Sequence, residues 1–294
     1  MKAVDFDYAR PGSVGDACRL LAEAAGDGKI IAGGQTLVPL LAMRLARPAL
    51  LVDVNRIPEL QGIEESSDAV ILRACTRQAV ALADRAVRQR VPLLAKALGF
   101  VGHVQTRNRG TIGGSLANAD PSAEIGVAAL ALGAEIEARS AAGDRRIAIA
   151  DFFIGPMMTA LEAAECLTSV RFPVWPGPGR IGTGFQEVSA RRSDFAVAAV
   201  AVQLQLDGDG VCRRIALGIG GAGARPLSVE AAAARLRGSR LAAPDLAAAA
   251  RIVRDAVEPD SDLHASADYR RRLAGALVER AVAEAAADAL AGGA

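Results

Sequence analysis

Apolar and polar positions recur along this chain with two different periods, and the places where the period changes mark its elements. Residues 14 to 25, VGDACRLLAEAA, space their apolar side chains three and four apart, as one face of a helix does. Gly26 and Gly28 stop that pattern, and the apolar run from Lys29 to Ala32 reads as a short strand. After AGGQT at 32 to 36, TLVPLLAMRL returns to helical spacing, and ALLVDV at 49 to 54 is an apolar strand bounded by Pro48 and Asn55. Together these predict a strand, loop, helix, strand unit.

A strand at 69 to 74 leads into helical segments through residue 98, where PLLAKAL supplies an apolar face before Gly99. Beyond a second small-residue loop, TIGGS at 111 to 115, the pattern predicts a helix ending near Gly133 and strands at 134 to 139 and 166 to 173. WPGPG at 175 to 179 reads as a linker. Past it, FAVAAVAVQLQLD and VCRRIALGI are apolar runs joined by GDG, a hairpin signal, and three alanine-rich helical stretches follow. A boundary near 176 separates units at 1–175 and 180–288, the second an α+β pattern of antiparallel strands followed by helices.

Composition narrows the class. A chain of 294 residues has room for two cores, and 34 basic against 33 acidic residues give no field favouring nucleic acid or an anionic membrane surface. Aromatic residues are 3% of the chain, too few for a base-stacking platform. The polar start, MKAVDFDYAR, and the lack of an uncharged run of about 18 apolar residues predict a cytoplasmic protein without membrane insertion. Cys18, Cys75, Cys166 and Cys212 show none of the paired spacings of iron–sulfur or zinc sites, and His103 and His264 stand far apart, so no metal site is expected here.

The glycine motifs remain. GIGGAG matches the dinucleotide fingerprint at Gly218, Gly220 and Gly223, but that fingerprint works inside a strand, helix, strand unit with an acid about 20 residues on. Here helix follows helix, so the segment reads as a glycine-rich turn between elements. AGGQT sits between a strand and a helix, where bare amides and the helix dipole favour phosphate. Gly33 and Gly34 permit close approach, and Gln35 and Thr36 add donors, although Thr36 serves equally as a helix N-cap and the loop equally as a tight turn.

TIGGS repeats the pattern with Gly113 and Gly114, preceded by Arg107 and Arg109, which either neutralise phosphate or face solvent. In ANADPSAE, Asp120 makes an N-cap with Pro121 at the first helical position. Glu124 either complements the helix dipole or accepts from ribose hydroxyls, and spacing alone does not choose. No serine elbow, zinc-protease motif or GKS/GKT loop is present, so a cofactor carries any chemistry and no catalytic residue is assigned.

These motifs lie in longer segments, FDYARPGSVGDA, IAGGQTLVPLLAMRLARPALLVDVNRI, VGHVQTRNRGTIGGSLANADPSAE, DFFIGPMMTALEAAECLTSVRFP, FQEVSARRSDFAVAAVAV and HASADYRRRLAGALVERA. On them the chain resembles, nearly end to end, the medium, FAD-binding subunits of the xanthine dehydrogenase and carbon monoxide dehydrogenase family of molybdenum hydroxylases. The resemblance implies a two-part FAD-binding domain of the PCMH type, followed by a smaller α+β domain with antiparallel strands and C-terminal helices. It implies two partners, a small subunit with [2Fe–2S] clusters and a large molybdopterin subunit, with NAD or another acceptor taking the electrons.

Carried over by position, Ala32, Gly33, Gly34, Gln35 and Thr36, with Thr111, Ile112, Gly113, Gly114 and Ser115, would hold the FAD pyrophosphate and adjoining atoms. Asn118 and Asp120 join this candidate set, and Glu124 matches the family's acidic FAD ligand. Leu161 would meet the isoalloxazine through its backbone, with Gln186 and Glu187 near the flavin. Several relatives carry lysine in the Gln186–Glu187 segment, which leaves flavin potential and acceptor open, and many carbon monoxide dehydrogenases have AGGHS at the first loop. A hydroxylase of N-heterocycles or aldehydes therefore fits at least as well as one of carbon monoxide. The rival readings are a stand-alone flavin oxidoreductase of the same fold and a nucleotide-binding assembly subunit without redox work.

Overall fold

The computed structural model describes residues 2–177 and 179–291, so Pro178 of the WPGPG linker lies outside it. The chain begins with β1 (Asp7–Ala9), α1 (Val14–Glu23), β2 (Gly28–Ile31), α2 (Leu37–Ala42) and β3 (Leu50–Asp53). Ser13 caps α1 by accepting from the Asp16 amide at 3.1 Å, and Val14, Ala17, Cys18 and Leu21 form its buried stripe. β3 lies between β1 and β2, parallel to both, so β2, its loop, α2 and β3 are the expected unit.

β4 (Ile63–Glu65) and β5 (Ala69–Arg73) precede the helices α3 (Gln78–Ala83), α4 (Arg85–Arg90), α5 (Pro92–Phe100), α6 (Val104–Arg109), α7 (Ile112–Asn118) and α8 (Glu124–Leu132). Then come β6 (Glu135–Ser140), β7 (Gly143–Ala148), α9 (Ile149–Phe152), the hairpin of β8 (Phe153–Gly155) with β9 (Met158–Thr159), and β10 (Cys166–Pro173). Five of these strands form an antiparallel sheet in the order β4-β5-β10-β6-β7. Its buried residues, Val70, Leu72, Ile136, Ala138, Val170 and Phe172, join the first core with α1, α5, α7 and α8. The second glycine segment is thus no loop: Thr111 is an N-cap and Ile112 to Ser115 are the first turn of α7.

The linker is pinned at its start, with Trp175 6% exposed and the Arg214 guanidinium 3.9 Å from its ring centroid. Beyond it, β11 (Arg180–Ser189), β12 (Ala196–Leu206) and β13 (Cys212–Gly220) make an antiparallel sheet, followed by α10 (Glu230–Leu236), α11 (Ala243–Ala256) and α12 (Ala267–Ala291). The hairpin of β12 and β13 and the three helices agree with the sequence pattern. β11 went unread because Gly182 and Gly184 interrupt it, and glycine lowers strand propensity.

Side chains alternate across a strand, so this last sheet has two faces with different neighbours. Phe185, Ala199 and Ala201 turn one face into the first core, where Phe100 of α5 meets Phe185 at 5.0 Å between ring centroids. Ala198, Val200, Val202, Ile215, Leu217 and Ile219 turn the other into a second core with α10, α11 and α12. Glycines let helices approach both faces: a Cβ on Gly182 or Gly184 would overlap the Ala285 or Ala281 carbonyl of α12, and one on Gly218 the Val127 carbonyl of α8. GIGGAG is therefore a helix-packing segment. Gly218 and Gly220 lie in β13 rather than in a turn, and the bend begins only at Gly221, φ +70°. No described helix is long and apolar enough to cross a membrane.

Candidate functional site

The first glycine segment leaves β2 after Ile31 and enters α2 at Leu37. Gly34 takes φ +70°, a left-handed conformation that suits glycine. Among the described residues, the backbone amides of Gly33, Gly34, Gln35 and Thr36 donate to no protein group. Four successive unengaged amides form a concavity suited to an anion. Gln35 is exposed and turns its side-chain amide back to the Gly33 carbonyl at 3.2 Å. Thr36 occupies the N-cap position of α2 as the structural alternative expected, although its hydroxyl makes no capping hydrogen bond.

The second segment is built differently. Ile112 donates to Thr76 O at 3.0 Å, Gly113 to Ala74 O at 2.9 Å, Gly114 to Thr111 Oγ1 at 3.0 Å and Ser115 to Thr111 O at 3.1 Å. Its amides are spent inside the protein. A Cβ on Gly113 would lie 2.7 Å from Ala74 Cβ, so this glycine sets the α7 start against the end of β5. The second segment therefore offers no row of free donors.

The two segments meet. A Cβ on Gly33 would come 2.6 Å from Arg109 O, and one on Gly114 would be 3.8 Å from Ala32 Cβ. Asn55, just after β3, fastens the junction: its Nδ2 donates to Ala32 O and to Asp53 Oδ1, both at 2.7 Å, while its Oδ1 accepts from Arg77 at 2.7 Å. Arg77 also donates to the Arg109 carbonyl, and Tyr8 to Asp53. This brace of Asn55, Arg77 and Asp53 was missed in the sequence, because its members are remote from both glycine motifs. Asn55 had signalled only a strand end.

Arg109 is exposed, while Arg107 spends its guanidinium on the Val101 and Gly102 carbonyls at 2.7 Å each. Arg107 also lines a hollow of about 260 Å³ with His103, Val104, Arg192 and Ser193. Asn118, in the last turn of α7, donates to Met157 Sδ at 3.8 Å. Leu161 gives its N–H to Thr159 Oγ1 at 3.3 Å, and its carbonyl accepts no hydrogen bond from the described residues.

Two expectations about the ANADPSAE stretch change. Asp120 is not an N-cap: α8 starts at Glu124 with Ala123 in the cap position, and Asp120 Oδ1 instead accepts from the Ser122 amide at 2.9 Å in a local turn. Pro121 accordingly precedes the helix, and its carbonyl accepts from Gly221 N at 2.9 Å, joining α8 to the end of β13. Glu124 is the first residue of α8, 9% exposed, and no other described residue donates to its carboxylate. Burial pushes its pKa up to about 7, Asp120 adds to the rise and Arg107 opposes it.

Gln186 and Glu187 part company. Gln186 Nε2 donates to Glu284 Oε2 at 2.8 Å on the α12 side of β11, so the structure does not bring Gln186 to the other candidates. Glu187 points the opposite way, its Oε2 is buried without a partner, and burial and Glu124 push its pKa up to about 8. The structure thus brings the unengaged amides at 33–36 against the segment before α7, and places a buried acid, Glu124, at the start of α8.

Residues 4–175 match the FAD binding domain in molybdopterin dehydrogenase, and residues 183–285 the CO dehydrogenase flavoprotein C-terminal domain. The 6-hydroxypseudooxynicotine dehydrogenase complex subunit alpha of Paenarthrobacter nicotinovorans is 39% identical, over 97% of this chain and 96% of that one. Quinoline 2-oxidoreductase from Pseudomonas putida 86 contains a chain that superposes with a TM-score of 0.93 at 36% identity, covering 99% of this chain and 100% of that one. Carbon monoxide dehydrogenase from Hydrogenophaga pseudoflava gives 0.94 at 34% identity, over 98% and 99%.

Proposed function

This chain belongs to the FAD-binding medium subunits of the molybdenum hydroxylases, and from that membership we propose that it relays electrons from a partner's [2Fe–2S] clusters, through FAD, to an external acceptor such as NAD. The observation that supports the FAD assignment is the row of unengaged amides at 33–36, packed through Gly33 against Arg109 and Gly110. FAD, when bound, supplies the electron-transfer chemistry. The chain's own residues position it. The 33–36 amides take the pyrophosphate charge, Glu124 accepts from hydroxyls, and the Leu161 carbonyl is available to a ring N–H. Iron–sulfur and molybdopterin sites lie, on this reading, on a small and a large partner subunit.

The division into 1–175 and 180–288 rests on the two family matches and the Pro- and Gly-rich segment between them. A cytoplasmic setting belongs to the same reading, in line with four unpaired cysteines. For the complex we favour a nitrogen heterocycle as substrate, supported by the names of the oxynicotine and quinoline relatives and by Gln35 and Thr36 at the first loop. The test is co-expression with iron–sulfur and molybdopterin subunits encoded beside it. The complex should contain FAD, and substrate should bleach the flavin absorbance only when both partners are present. Substrate-driven bleaching of the isolated chain would favour a stand-alone oxidoreductase, and a flavin that stays oxidised in the active complex would favour a non-redox subunit.

A further inference from the structure

Helix α2 reads LVPLLA and is apolar on every side, and a helix of that kind normally lies inside a core. This one does not. Only Leu41 is buried, no residue of α2 belongs to either core, and among the described residues no other helix or strand lies broadly against it. Val38 is 51% exposed, and Met43 and Leu45, just beyond the helix, are 45% and 72% exposed. From Ile30 to Met43 the chain carries no charged residue, so nothing charged interrupts the strip. Apolar surface left open in this way marks an interaction site.

The end of the helix adds charge in an unfavourable place. Arg44 takes φ +61°, the left-handed conformation in which glycine most often ends a helix, and the Leu45 amide reaches back to the Leu40 carbonyl at 2.9 Å. An arginine there strains a backbone that glycine would leave relaxed. What it contributes is a cation. Arg44 Nε donates to the Lys2 carbonyl at 3.1 Å and Arg47 Nε to the Arg44 carbonyl at 3.0 Å, and neither guanidinium meets a carboxylate of the described residues. Arginines without acid partners thus border an open apolar helix, the pattern of an interface with an apolar centre and a charged rim.

We propose that α2, together with Met43, Leu45 and the rim of Arg44 and Arg47, is the docking face for the iron–sulfur subunit, which meets it with an apolar patch bordered by carboxylates. Charge decides against a second copy of this chain, because a two-fold contact would set the patch against itself and bring arginine to arginine. Position chooses between the partner subunits, and here the inference rests on the FAD reading above. The helix starts where the 33–36 amides end, so a chain seated on it stands beside the cofactor. Electron transfer falls off steeply with distance, and the subunit whose clusters feed the flavin is the one that has to come so close.

The experiment uses the assembled complex, co-expressed with Leu45 of this chain replaced by the photoreactive residue p-benzoylphenylalanine. Irradiation should link this chain to the iron–sulfur subunit. A link to the large subunit or to a second copy of this chain, or no link in the intact complex, would overturn the proposal.

Two variants separate docking from folding. Arg44→Gly removes the cation and relieves the left-handed strain, so its free chain should melt no lower than the parent. Its complex should nonetheless release this subunit on dilution at a concentration roughly fivefold higher, with a shallower dependence on salt. Leu45→Gln changes a side chain that is 72% exposed in the free chain, and should raise that concentration on the order of tenfold. Dissociation unchanged in both variants would overturn the proposal. FAD content reports on the functional reading separately: a link to the iron–sulfur subunit in a complex that lacks FAD would uphold the docking face and remove that reading instead.

Discussion

Asn55 shows how a single side chain can decide whether two separate segments make one site. Its amide holds the Ala32 carbonyl and its oxygen holds Arg77, which reaches the Arg109 carbonyl before the second glycine segment. Asn55→Ala should leave the Ala32 carbonyl and the Arg77 guanidinium unpaired and cost about 1–3 kcal/mol. A urea midpoint shift without a change of slope would measure that loss, and FAD binding should weaken with it. A variant as stable as its parent would show the brace to be dispensable. Glu124 and Glu187 give a second prediction, for the FAD-free chain. Both carboxyls titrate higher in the folded chain, at about 7 and about 8, than the ordinary 4.5, so within that window the folded state holds more protons than the unfolded one. Stability should therefore fall as pH rises from about 4.5 to about 8, and Glu187→Gln should flatten the fall. Thermal midpoints across this range test it, and equal slopes would count against it.

At the scale of elements, β11 carries the most consequence for the least sequence signal. It is an edge strand, and α12 covers that edge: Asp288 accepts from the Thr183 amide at 2.9 Å and Glu284 from the Phe185 amide at 3.1 Å. Close approach of the helix depends on bare α-carbons at Gly182 and Gly184. Gly184→Ala should push α12 off the strand and destabilise the chain by about 1–3 kcal/mol. Gly208→Ala, in the open turn between β12 and β13 with nothing within 4 Å of the new methyl, is the matched control and should change little. Equal urea midpoints for both variants would refute the packing argument. The helices and the β12–β13 hairpin were legible in the sequence because their periodicity is local. β11 was not, because its glycines answer to a helix about 100 residues further along the chain.

For the whole molecule, the last sheet belongs to both cores, one face closing on α5 and α8 and the other on α10 to α12. Lys96 joins the same parts from outside, with Nζ 3.1 Å from Glu284 and 3.4 Å from Asp288, the three side chains 31%, 33% and 43% exposed. Partial exposure limits such a link, so Lys96→Met should cost no more than about 1 kcal/mol, most at low ionic strength. Chemical denaturation at two salt concentrations checks this, and a loss independent of salt would point to packing rather than charge. The shared sheet also predicts one cooperative unfolding transition, since neither core closes without it. Two well-separated calorimetric transitions would contradict that expectation.

The sequence by itself determined the β2, α2, β3 unit, the β12–β13 hairpin and the C-terminal helices. These follow from side-chain period and backbone freedom, which are local properties. Only the tertiary structure decided that Gln186 meets Glu284 of α12, because strand register and the glycine contacts that seat that helix join residues far apart in the chain. For the same reason only the folded chain could show that the amides at 112–115 are already spent on their own protein while those at 33–36 are not.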